Sequence, residues 1–145
     1  VFTSGLGLDL EPKYYVYAHL DPTHKVAVGY SPVTTFAATL GMDCFPYYIG
    51  KGTGDRCFDL NRSETHRKIT QKIRGLGFEP KILTVRAGLT EAAALEVESK
   101  LIDIFGLIPR SGYLTNLDEG HTPEQRRALY MGAYTSIRKI NGAMA

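Results

Sequence analysis

Two tyrosine-bearing segments hold the residues of this chain best suited to chemistry. They are Tyr15-Val16-Tyr17 and Tyr48-Ile49-Gly50, the second running on through Gly50-Lys51-Gly52-Thr53-Gly54-Asp55-Arg56. Glycines let backbone amides approach an anion, and a helix that follows them turns its positive end toward it. Arg56, just inside such a helix, could grip a phosphate and stabilise charge developing on it. Further on, Glu98 falls where a helix should be apolar, and Leu114-Thr115-Asn116 supplies an asparagine. A phosphodiester-cleaving metal site needs parts of this kind. Each part also has an ordinary reading: sheet tyrosine, plain turn, surface arginine. The segment is not a nucleotide P-loop, because the GxxxxGK[ST] spacing is absent.

Glu98 is the sharpest of these signals. Its neighbours three and four residues away are Ala94, Leu95, Leu101 and Ile102, all apolar. An ionised carboxylate on such a stripe costs several kcal/mol unless it is paired or bound to a metal. Glu96 provides the contrast: with Ala92, Ala93, Ser99 and Lys100 around it, it can pair with Lys100 on the surface. For Glu98 a structural pair with an arginine or tyrosine competes with a metal. A lone carboxylate suits a hard cation that keeps much of its water, as Mg²⁺ does.

The elements that must position these groups follow from pattern. Residues 1–12 read as a loose leader. Tyr14 to Leu20 reads as a strand, with Val16, Ala18 and Leu20 on a core face and Tyr15, Tyr17 and His19 on a wetter one. Asp21-Pro22-Thr23 should end it. Residues 22–44 show no clear period and read as an inserted loop, with some strand or one helical turn around Thr35 to Leu40. Phe45 to Gly50 is a second strand. A short helix is expected from about Asp55, then a longer one from Glu64 to Arg74 with His66, Ile69, Ile73 and Leu76 inward. Ile82 to Arg86 is a third strand. Thr90 opens the best-defined helix, which runs to Phe105 and stops at Gly106. Thr122-Pro123-Glu124-Gln125 starts a last helix, an extension over residues 121–145.

The 145 residues, 43% of them hydrophobic, suit one compact domain. The net charge of +2 hides an uneven distribution. Between Lys51 and Lys81 there are eight basic and four acidic residues; between Leu89 and Gly120 there are two basic and six acidic. A basic face built from Lys51, Arg62, Arg67, Lys68 and Lys72 could follow a phosphate backbone, with affinity that falls as salt rises. Cys44 and Cys57 form neither a disulfide framework nor metal-ligand spacing. No signal peptide or membrane span is visible, which points to a cytoplasmic or nucleoid-associated protein.

Taken in order, Tyr15-Val16-Tyr17, Tyr48-Ile49-Gly50, the GKGxGxR segment ending at Arg56, Glu98-x-x-Leu101-Ile102 and Asn116 resemble the GIY-YIG endonuclease family. The resemblance covers most of residues 14–117. Its GKGxGxR form is most like the branch found in LEM-domain and ankyrin-repeat nucleases and their bacterial and phage relatives. It implies an α+β fold: a small three-stranded antiparallel sheet flanked by helices, over residues 13–120, with an extra C-terminal helix. It implies a DNA endonuclease dependent on Mg²⁺ or Mn²⁺, one ion per site. By this resemblance Tyr17 would activate water, Tyr48 would orient water and phosphate, and Arg56 would stabilise the pentacovalent phosphorus. Glu98 would hold the metal and Asn116 would close the motif set. Lys51, Gly52, Gly54, Arg62, Arg67, Lys68 and Lys72 are the expected phosphate contacts. Lys51 or the metal would lower the Tyr17 pKa. Leu60 stands where the family often carries a histidine, which turns attention to Asp59, Asn61, His19 and His66. The expected partner is double-stranded or branched DNA, and a homodimer is an option. A non-catalytic nucleic-acid-binding or structural module on the same fold is the alternative, and a metal-independent anion binder is a third.

Overall fold

A computed structural model describes residues 8–27 and 31–116. The expected extension over residues 121–145 lies outside them, as does Leu117. Three strands, β1 (Tyr14–Lys25), β2 (Cys44–Gly52) and β3 (Lys81–Leu89), form one antiparallel sheet in the order β2-β1-β3. Three helices, α1 (Pro32–Thr39), α2 (Glu64–Gly75) and α3 (Glu91–Phe105), flank it. The chain is therefore α+β with a small three-stranded antiparallel sheet, as the sequence predicts. No helix among the described residues is long and apolar enough to cross a membrane.

Local chemistry sets the boundaries. Each helix starts on a hydroxyl cap: Ser31 before Pro32, Ser63 accepting from the His66 amide at 3.2 Å, and Thr90 accepting from the Ala93 amide at 3.3 Å. Such a cap contributes about 1 kcal/mol. Helix α3 stops at Gly106, whose φ of +75° suits glycine. The chain then doubles back so tightly that a β-carbon on Gly112 would lie 2.1 Å from the Gly106 carbonyl carbon. This return lays residues 113–116 along the edge of β2, where the Thr115 amide donates to the Tyr47 carbonyl at 2.8 Å.

Residues opposite each other on antiparallel strands share a face. Ala18 faces Ile49 on one side; Tyr17 faces Gly50 and His19 faces Tyr48 on the other. The first face joins Val16, Ala18, Leu20 and Ile49 to Ala94, Leu101, Ile102 and Phe105 of α3 and to Ala37 of α1 in one buried cluster. The register slips between His19 and Leu20, so that Tyr48 pairs with His19 and Pro46 with Leu20. Tyr47, left between them, reaches α2, and its hydroxyl lies 2.9 Å from the Thr70 hydroxyl.

Several expectations need correction. The tyrosine face of β1 is not wetter at its centre: Tyr17 and His19 are fully buried, with His66 of α2 against His19, while Tyr15 is half-buried. Asp21-Pro22-Thr23 does not end the strand, since pairing resumes at Lys25 and Cys44 after an irregularity. The region 22–44 is no simple loop; it carries α1, whose Ala37 is fully buried. The leader is not loose throughout, because Leu8 is buried and the Asp9 carbonyl accepts from the Glu91 amide. Leu76 lies past the end of α2 and is exposed, while Thr70 takes the inward place. Gly50 and Gly52 belong to β2 rather than to a loop, and the helix after them is a single 3-10 turn, Arg56–Phe58.

Candidate active site

The tyrosine face of the sheet gathers Tyr17, Tyr48, Gly52, Arg56 and Arg62. Tyr17 and Tyr48 come from neighbouring strands, with ring centroids 6.2 Å apart. The glycines make room for them. A β-carbon on Gly50 would lie 2.5 Å from Cζ and the hydroxyl oxygen of Tyr17. One on Gly52 would lie 2.5 Å from Cγ of Arg56 and 3.8 Å from Cε1 of Tyr17. The expected amide cradle is thus replaced: the space above Gly50 and Gly52 holds the Tyr17 ring and the Arg56 stem. Arg56 extends outward, half exposed, with Nη1 3.6 Å from Asp59 Oδ2.

Arg62 closes the cluster from above. Its guanidinium lies 5.0 Å from the Tyr48 centroid and 5.7 Å from that of Tyr17. Its Nη2 donates to the Tyr17 hydroxyl and, at 2.9 Å, to the Arg56 carbonyl. The cation beside Tyr17 is therefore Arg62, not Lys51. Lys51 pairs with Val16 on the opposite face, and its Nζ sits 5.4 Å from the Tyr14 ring centroid. Burial pushes the Tyr17 phenol well above its ordinary value, and Tyr48 adds to this; Arg62 and Arg56 pull it back in part. At neutral pH Tyr17 is a phenol.

Beneath the tyrosines lies a histidine pair. His19 stacks on Tyr48 with centroids 5.3 Å apart, and His66 meets Tyr48 edge-on at the same distance. His19 Nδ1 and His66 Nε2 are 2.9 Å apart, and His19 Nε2 is 2.8 Å from the Cys57 carbonyl oxygen. Burial lowers His19 to about 4 and His66 to about 3, so both rings are neutral. Their tautomers then follow. A carbonyl only accepts, so His19 carries its proton on Nε2 and accepts at Nδ1 from His66 Nε2. His66 Nδ1 is left as a buried lone pair without a partner among the described residues.

The remaining predicted residues take other places. Asn116 spends its amide on the backbone of Ile49: Oδ1 accepts from the amide at 3.0 Å and Nδ2 donates to the carbonyl at 2.6 Å. It acts as one more rung on the edge of β2, between the two residues that flank Ile49, Tyr48 and Gly50. Glu98 sits on α3 between Ala94, Leu95, Leu101 and Ile102, all buried, yet is itself half-buried. Glu96 is the more buried carboxylate, 3% exposed, and it pairs at 3.0 Å with Lys100, whose side chain is 35% exposed. Arg67 and Lys68 project from α2, each 3.8 Å from Glu64, and Lys72 is exposed on the same helix. Gly54 lies in the turn before Arg56, where its carbonyl accepts from the Tyr15 hydroxyl at 2.7 Å.

Sequence reasoning missed the role of Tyr15. Its hydroxyl also accepts from the Cys57 amide at 3.0 Å, so it fastens both ends of the turn that carries Arg56. The signal was its place two residues before Tyr17, on the same strand face. Among the described residues no group of three or more His, Cys, Asp or Glu side chains is arranged to hold a metal. Glu98 is a half-buried carboxylate on α3, whose Ala94, Leu101 and Ile102 pack on the sheet face opposite Tyr17; a hydrated Mg²⁺ would need one or two such carboxylates plus substrate oxygens. No family model, curated protein or solved structure matches the chain.

Proposed function

We propose that this protein is a divalent-metal-dependent DNA endonuclease of the GIY-YIG type. The observation that carries the reading is the convergence of Tyr17, Tyr48, Arg56 and Arg62 on one sheet face, with Gly50 and Gly52 cleared for them. Two guanidiniums beside two phenols form a group able to hold a phosphodiester and position a water against it. Arg56, half exposed, would contact the phosphate and stabilise the charge that grows on it. Tyr48 would orient the phosphate and the water. Tyr17 would activate the water by hydrogen-bonding it through its hydroxyl. Glu98 would hold the Mg²⁺ or Mn²⁺ ion, which when bound supplies Lewis-acid polarisation of the phosphate. Asn116 is a positioning residue, acting through Ile49.

Arg67, Lys68 and Lys72 on α2 supply the charge that would follow a DNA backbone. A binding module without cleavage is the second reading, favoured by the complete burial of Tyr17. Nicking of supercoiled plasmid in Mg²⁺, Mn²⁺ or EDTA, with the parent beside Glu98→Ala, separates the two. The nuclease reading expects metal-dependent nicking that Glu98→Ala abolishes while DNA binding persists. Equal cleavage by parent and variant would remove Glu98 as the ligand. Binding without cleavage in any metal would favour the module.

A further inference from the structure

This inference rests on the nuclease reading and concerns how Tyr17 becomes available. Its ring is fully buried. Tyr15, His19 and Tyr48 surround it at centroid distances of 5.7, 5.3 and 6.2 Å, and Gly50 backs its hydroxyl end. All of these hang from paired strands. Arg62 alone comes from the connection between the 3-10 turn and α2. It bonds the Tyr17 hydroxyl, as Tyr48 also does from its paired strand.

Arg62 is poorly matched where it sits. Both acceptors of its Nη2 are neutral, a phenol and the Arg56 carbonyl. Its Nε is buried with no partner among the described residues. The same side chain lines an open polar cleft of about 260 Å³ with Asn61, Ser63, Glu64 and Arg67. Arg67 is 61% exposed and its contact with Glu64 is 3.8 Å long, so its charge is available there. A phosphodiester offers two anionic oxygens, which suit the guanidinium fork and make bonds stronger than neutral acceptors do.

We propose that Arg62 covers Tyr17 in the free protein and transfers to a substrate phosphate in this cleft, so that phosphate binding uncovers the tyrosine hydroxyl. Arg62 is then a second phosphate contact, and its departure couples DNA binding to exposure of the catalytic phenol. Tyr17 would be available only when a phosphate is in place.

The test needs no cleavage. The full chain is labelled with isotopic tyrosine Cζ, the Tyr17 signal is assigned with Tyr17→Phe, and spectra are taken in EDTA with and without a short DNA duplex. Reaction of Tyr17 with N-acetylimidazole, read by peptide mapping without DNA, reports exposure of its hydroxyl. The expectation is several-fold higher acetylation of Tyr17 in Arg62→Ala than in the parent. The parent's Tyr17 signal should move on duplex binding toward its position in Arg62→Ala, whose signal should move little further. Arg62→Lys serves if Arg62→Ala does not fold, since lysine lacks the fork. Unchanged acetylation in the variant, or duplex binding that leaves the parent's Tyr17 signal in place, would overturn this proposal and leave the nuclease reading standing. Failure to bind the duplex would overturn both.

Discussion

Gly50 shows how one residue decides the site. Its backbone is paired in β2, and the Tyr17 ring fills the place of its side chain. Gly50→Ala would put a β-carbon 2.5 Å from Cζ of Tyr17, and neither the paired strand nor the buried ring has room to yield. Overpacking of this kind costs about 1–3 kcal/mol. Urea unfolding should show that loss, and unchanged stability would mean that Tyr17 lies elsewhere. Arg56 should behave in the opposite way. Its ion pair with Asp59 is exposed on both sides, so Arg56→Ala should leave stability nearly intact. Turnover should fall by well over about tenfold, as loss of a charge contact in the transition state does. Full turnover in the variant would remove Arg56 from the mechanism. The tyrosines were legible because strand alternation fixes which residues share a face. By sequence Arg62 is one basic residue among several, because nothing there shows the fold of the connection that carries it over Tyr17.

At the scale of elements, the edge of β2 is the informative place. The return after α3 reaches that edge through Thr115 and ends with Asn116 bonded to both backbone groups of Ile49. Asn116→Ala would leave a buried amide and carbonyl unpaired, at about 1–3 kcal/mol for each group. The loss should appear as a lower Tm and as faster hydrogen exchange at the Ile49 amide. Asn116→Asp keeps an acceptor for that amide but sets a carboxylate against the carbonyl, so it should not restore stability. Full stability in both variants would show that this rung is dispensable. Helix α3 was readable from Thr90 to Gly106 because a cap, an apolar stripe and a glycine agree. For α1 the sequence predicts only a loop with some strand or one helical turn: its Thr, Ala and Phe residues give no clean period, and its burial depends on the core it meets. The Ser31-Pro32 start was the signal that could have found it.

For the whole molecule, the main surprise is that β1 and β2 are buried on both sides, while β3 stays largely exposed. The alternation of β1 correctly separated the two faces, but docking of α2 on the tyrosine face is a long-range event that one strand cannot encode. The consequence is thermodynamic. Burial holds His19 near 4 and His66 near 3, against an ordinary value of 6.5, with Arg62 lowering both and Asp59 opposing it. The unfolded chain therefore takes up protons below about pH 6.5 that the folded chain refuses. Stability contributed by neutral burial is complete above that pH and is lost as pH falls, until His19 titrates near 4 and His66 near 3. The slope reaches at most about 1.4 kcal/mol per pH unit for each ring. Because both rings pack on Tyr48, the site should weaken together with the fold. Urea unfolding between about pH 7 and about pH 5 should show the decline, and a His19→Gln/His66→Gln double variant should be less stable at neutral pH but flatter across the range. A parent whose stability does not change across that interval would mean that the two imidazoles are not buried as a neutral pair.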